Sequence, residues 1–169
     1  MLDFKAKYAD QWAGSNHREA IALQWLQLLG IHAVPTGHGT LIAEKLPGYH
    51  HGAEDKFDLY APFIGCWFEV TGTSWRREDS ARRFPSAVLP VLKAKVDAAE
   101  YYGVEGRLWF VSVNEIQGEV RFLRCRDAKL HPLISFAKGE GEYYGVPWGA
   151  WLTPARALAR LARGAVRSG

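Results

Sequence analysis

Asp58 and Glu69 are each a lone acid between apolar neighbours: Phe57 and Leu59 flank the first, Phe68 and Val70 the second. Their segments, KFDLYAP and GCWFEVTGT, read as two strands punctuated by Pro62 and Gly65, and a hairpin is the economical way to join them. Alternate side chains of a strand share a face, so such a hairpin can present both carboxylates on one side. Two converging carboxylates suit a hard divalent cation, Mg²⁺ or Mn²⁺, whose shell is completed by carbonyls, waters and phosphate. The backbone carbonyl of Val70 is placed to be a further ligand. The chemistry this favours is metal-assisted phosphodiester hydrolysis, helped by a lysine that orients the attacking water and steadies developing negative charge. Glu19 offers a third carboxylate. Taken singly, an acid within a strand is more often part of a solvent face. The order of a helical Glu followed by two strand acids is what points to a site.

These acids need elements to position them. Residues 15–29 (SNHREAIALQWLQLL) read as an amphipathic helix, capped by Ser15 and ended by Gly30, with Ala20, Leu23, Leu26 and Leu28 or Leu29 on its apolar face. IHAVPTGHGT follows as a short strand and a Gly-rich turn, and LPGYHHGAED as a loop. Residues 74–86 (SWRREDSARRFPS) read as an exposed, arginine-dense loop. The spacing predicts a second helix over 88–102, ended by Gly103, then strands RLWFVSVNEI and EVRFLRCR joined by a turn at Gln117–Gly118. Residues 127–152 give no assignment, though their aromatics at 143–151 would suit a contact surface in a plain interaction protein. Thr153 as N-cap and Pro154 at the first helical position open a last helix.

This order resembles the PD-(D/E)XK nuclease superfamily, and within it the archaeal-type Holliday junction resolvases. Gly14 followed by Glu19 in a helix that runs into a strand resembles the first motif, Asp58 the second, and Glu69-Val70-Thr71 the third, whose usual form is Glu-x-Lys. Residues 88–102 and RLWFVSV match the helix and strand that follow, so the resemblance spans about residues 14–126. It implies an α/β, restriction-endonuclease-like core: a mixed sheet of four or five strands flanked by helices. It also implies a metal-dependent endonuclease acting on DNA, branched DNA in particular, and a homodimer. Asp58, Glu69 and Val70 would bind the metal, and Glu19 would bind it or position its water. Thr71 departs from the pattern. Either catalysis is lost, leaving a nuclease-fold protein that binds nucleic acid or a partner protein, or the lysine has moved.

Helical phase nominates a replacement. At about 100° per residue from Val91, Lys95 falls at about 40°, between Tyr102 at about 20° and Ala99 at about 80°. Lys93, Asp97 and Glu100 fall near 180–240° by the same count. A lysine in an apolar stripe is costly unless its ammonium meets a carboxylate or water. Lys95 therefore either turns toward the acids or snorkels to solvent. Arg76, Arg77, Arg82 and Arg83, with Trp75 and Phe84 among them, suit phosphate clamping and base stacking beside such a site, or form a solvated loop partly neutralised by Glu78 and Asp79. His38 and Thr40 of the GHGT turn are further phosphate contacts, unless the turn is only a turn. His50 and His51 are adjacent in a loop and poorly placed to chelate one ion.

Composition narrows the classes. A chain of 169 residues, 48% hydrophobic and 23% charged, fits one globular domain with a short appendage, read here as a core over 1–130 and an extension over 131–169. No apolar run approaches the ~18–20 residues of a membrane span, and the N-terminus has no apolar h-region, so an intracellular protein is expected. Cys66 and Cys125 lie far apart without zinc-ligand spacing. Net charge is +3, and the last sixteen residues hold Arg156, Arg160, Arg163 and Arg167 and no acid. The arginines recur every three or four residues, opposite Leu158 and Leu161, as a solvated stripe or a phosphate-tracking one.

Overall fold

The computed structural model describes residues 17–36, 56–73, 88–116, 118–135 and 141–167. Residues 17–28 form α1. Gly30, at φ 78, ends it: its N–H reaches the Gln27 carbonyl at 2.9 Å and that of Ile31 reaches Leu26 at 2.8 Å. This paired closure needs the left-handed conformation that glycine adopts without strain. Three strands follow: β1 (Val34–Pro35), β2 (Leu59–Ala61) and β3 (Cys66–Thr73). Next come β4 (Val88–Leu92), α2 (Lys93–Tyr101), β5 (Leu108–Asn114), β6 (Glu119–Arg124) and the short α3 (Cys125–Ala128). The chain continues through β7 (Leu133–Ser135), β8 (Glu142–Pro147), a 3₁₀ turn (Trp148–Ala150) and α4 (Pro154–Arg167).

Among the described residues, five strands make one mixed sheet in the order β1-β2-β3-β5-β6. β3 and β5 are parallel, and the other neighbours antiparallel. All seven residues of β5 are buried, as expected of a central strand covered on both faces. One face carries Trp67, Leu108, Phe110 and Leu123, packed on Val96 and Ala99 of α2. The other carries Phe68, Trp109, Val111 and Phe122, packed on Ala22 and Leu26 of α1 and on Ala157 and Leu161 of α4. The expected mixed α/β sheet between helices is therefore the observed architecture.

The expected helix over 88–102 begins five residues late. Val88–Leu92 is instead an edge strand of a second, antiparallel sheet, β4-β8-β7. Pro90 explains this: it has no N–H for a helix interior, whereas an edge strand tolerates it. The segment after residue 131 supplies β7 and β8 to that sheet, and Leu152 exchanges two backbone hydrogen bonds, of 2.9 and 2.7 Å, with Phe122. In α4 the apolar contact is made by Ala157 and Leu161, while Leu158 is 36% exposed and so does not share the buried side as expected. Thr153 caps α4 through the Arg156 N–H. Among the described residues no helix is long and apolar enough to cross a membrane.

Candidate active site

The β2–β3 register pairs Leu59 with Phe68 and Tyr60 with Trp67, so one further step sets Asp58 opposite Glu69. Asp58 stands just before β2 rather than inside it, and its carboxylate takes over where backbone pairing stops: the Val70 N–H donates to Asp58 Oδ2 at 2.7 Å. N–H and carbonyl of one strand residue point to the same neighbour. Trp67 bonds toward β5 through the Arg107 carbonyl, so Val70 turns its N–H and carbonyl to the Asp58 side. Thr36 holds this segment. Its N–H donates to the Asp58 carbonyl at 2.7 Å, and its hydroxyl to the Phe57 carbonyl at 2.8 Å. Thr36 is buried, and nothing in the sequence around it singled it out.

Glu69 shares its face with Trp67, under α2, and its side chain is only 12% exposed. It is no solvent-face acid. Lys95 reaches it from α2: Nζ lies 2.8 Å from Glu69 Oε1 and donates to the Lys56 carbonyl at 2.7 Å. Thr71 lies two residues beyond Glu69 on the same face, so Lys95 brings an ammonium to the side where a Glu-x-Lys lysine would project. Tyr60, stacked on Trp67 with ring centroids 4.2 Å apart, continues the wall away from the acids.

The two acids are electrostatically strained. Burial pushes Asp58 above its ordinary value, opposed by the Val70 N–H and by Lys95. Burial and the Asp58 charge push Glu69 up to about 8, with Lys95 pulling back. The Glu69 Oε2 atom is buried and takes no hydrogen bond from an N–H or O–H donor, and a carboxyl-to-carboxyl hydrogen bond with Asp58 helps hold the Glu69 proton. A low-dielectric pair of carboxylates with an oxygen that accepts no hydrogen bond is the donor set that a small divalent cation would satisfy. Asp58, Glu69 and the Val70 carbonyl thus fit such an ion.

Glu19 is not part of this set. It lies on α1, one helical step from Ala22, and α1 packs on the opposite face of the sheet. It is buried at 4% exposure, beside the point where Arg18 crosses Gly72 and pairs with Glu115 at 2.8 Å. Among the described residues no three carboxylate, thiol or imidazole groups come together to hold a metal. The structure therefore joins Asp58, Glu69 and Lys95, and leaves Glu19 behind the sheet. His38, Thr40, His50, His51, Arg76, Arg77, Arg82 and Arg83 lie outside the described residues.

The sequence profile of the family described as viral/archaeal nuclease matches residues 23–142, well over half of the chain. An uncharacterized protein, D-244, of Sulfolobus spindle-shape virus 1 is 33% identical over 100 residues, which are 54% of this chain and 40% of that protein. The chain thus spans about two fifths of the length of that curated relative. Among solved structures, D212, a nuclease from a fusellovirus, superposes with a TM-score of 0.57 at 20% identity, covering 99% of this chain and 96% of that one. At that identity the likeness concerns the fold.

Proposed function

The chain belongs to the viral/archaeal nuclease family, and from that premise we propose that it is a metal-dependent DNA endonuclease of the PD-(D/E)XK type. The observation that carries this reading is the meeting of Asp58, Glu69 and Lys95, with one Glu69 oxygen that accepts no hydrogen bond. Asp58, Glu69 and the Val70 carbonyl would hold Mg²⁺ or Mn²⁺, which when bound activates water and neutralises charge on a phosphodiester. The Val70 N–H and Thr36 fix Asp58, and α2 with the Lys56 carbonyl fixes Lys95. Lys95 is placed to hold the attacking water and steady the negative charge that develops on the phosphate. Branched DNA as the preferred substrate, and a homodimer, follow from the likeness to resolvases.

The test is incubation with Mg²⁺ or Mn²⁺ and end-labelled linear, flapped and four-way DNA, beside Asp58→Ala. Cleavage by the wild type and none by the variant is expected. Cleavage that survives Asp58→Ala would sink the site. Binding without cleavage by either protein would favour the non-catalytic reading that Thr71 first suggests.

A further inference from the structure

A second basic feature lies on the other face of the sheet. The β2–β3 turn, the start of β5, the end of β6 and α4 enclose a groove of about 500 Å³, lined by Arg107, Arg124, Arg126 and Arg160. An adjoining hollow of about 400 Å³ shares Arg124 and Arg160 and adds Arg163. No acid is among the described residues that line either one. Asp127 stands behind them, bound by Arg124 through two 2.9 Å hydrogen bonds and by Arg160 at 3.4 Å. Five guanidiniums against that carboxylate leave four positive charges (5 − 1). Among the described residues Arg107 and Arg126 have no acidic partner, and Arg126 lies on Gly106, where a Cβ would come within 2.7 Å of it. An aromatic ring is also offered: Phe63 lines the groove and is 91% exposed.

Guanidiniums in excess beside a free ring have the chemistry of a nucleotide site: phosphate on the forks, base on the ring. Cys66 at the groove floor is three residues from Glu69, so the centres lie ~10 Å apart along β3, on opposite faces. One nucleotide cannot occupy both. We propose that this groove is a second nucleic-acid subsite, binding a single-stranded segment of substrate away from the nucleotides at Asp58 and Glu69, with phosphates on Arg107 and Arg126 and a base on Phe63. It deepens the nuclease reading and rests on it only for the origin of the strand. A free nucleotide offers the same chemistry.

The test is done in EDTA, so that no cleavage intervenes. A labelled single-stranded deoxyoligonucleotide is titrated into wild type and into Arg107→Ala/Arg126→Ala. Affinity should fall at least about tenfold, and the slope of log K against log salt should lessen by about 1.4, at ~0.7 per phosphate contact. Cys66, half-buried in the groove, is alkylated in parallel, with the fully buried Cys125 as internal reference. Oligonucleotide should slow Cys66 alkylation severalfold. Protection by the oligonucleotide assigns a strand, and protection by dAMP alone assigns a free nucleotide. No protection by either overturns the proposal, as does an affinity unchanged in a variant that melts like wild type. Failure of the cutting reading would show instead in the metal-dependent assay, with the EDTA results intact.

Discussion

At the scale of residues, Lys95 and Glu69 are tied by one 2.8 Å contact that serves two opposed ends. The ammonium offsets the buried Glu69 charge, yet it also competes with any cation for Oε1. Lys95→Met keeps most of the stem and removes the charge. The expected outcome is a cleavage rate lower by about 10²–10³, the cost of removing one donor to developing negative charge, while Mg²⁺ affinity holds or rises. Single-turnover kinetics over a Mg²⁺ series reads both. A rate equal to wild type would remove Lys95 from the chemistry and leave the metal ligands standing. Glu69 itself gives a pH dependence. With its pKa moved from 4.5 to about 8, the folded chain keeps a proton over that window which the unfolded chain has lost. The folded state then binds more protons, so stability falls as pH rises from about 4.5 to 8. In EDTA the melting temperature should drop across that range, on the order of 10 °C for a few pKa units. Glu69→Gln should flatten the profile, and Mg²⁺ at the alkaline end should restore stability by replacing the proton. Scanning fluorimetry from pH 5 to 8 checks all three, and a flat wild-type profile would contradict the raised pKa.

At the scale of elements, what was legible was local. Gly30 and Gly103 end α1 and α2 through matched pairs of backbone bonds, and Thr153 caps α4, because each depends on residues within one turn. The β2–β3 hairpin follows from two apolar runs and the turn between them. β4 was not legible. Its partner β8 lies more than fifty residues away, and the run VLPVL satisfies a helical period by chance, although Pro90 argues against it. Lys95 faces the acids with either helix start, because Ala99 and Tyr102 in the shorter helix and its turn fix the same face. Thr36 illustrates the opposite limit. A single threonine after a two-residue strand carries no pattern, yet it anchors the backbone on both sides of the Phe57–Asp58 peptide. Thr36→Val keeps the shape and strands the Phe57 carbonyl, a cost of about 1–3 kcal/mol. Chemical denaturation should show that loss, and Mg²⁺ affinity should weaken with it as Asp58 loosens. Full stability in the variant would mean that the carbonyl finds another donor.

At the scale of the whole molecule, the sheet sets the two proposed sites on opposite faces. Asp58, Glu69 and Lys95 gather under α2, where the sequence named each of them. Glu19 rests mostly on likeness of order, and order does not say which face of a sheet a helix covers. The arginine groove was legible only in its α4 part: Arg160 and Arg163 belong to the stripe that sequence offers as solvated or phosphate-tracking, whereas Arg107, Arg124 and Arg126 come from the edges of β5, β6 and α3, and only folding makes them neighbours. Separation of this kind has a kinetic consequence. Sites with no shared partner and more than ~7–10 Å apart contribute free energies that add. Lys95→Met should lower the single-turnover rate at saturating DNA, and Arg107→Ala/Arg126→Ala should raise the DNA concentration needed to saturate. The triple variant should then show the product of the two effects on kcat/KM. A shortfall from that product would mean that the groove and the acids act on one another through β3, whose residues 66 to 69 are the shortest covalent path between them.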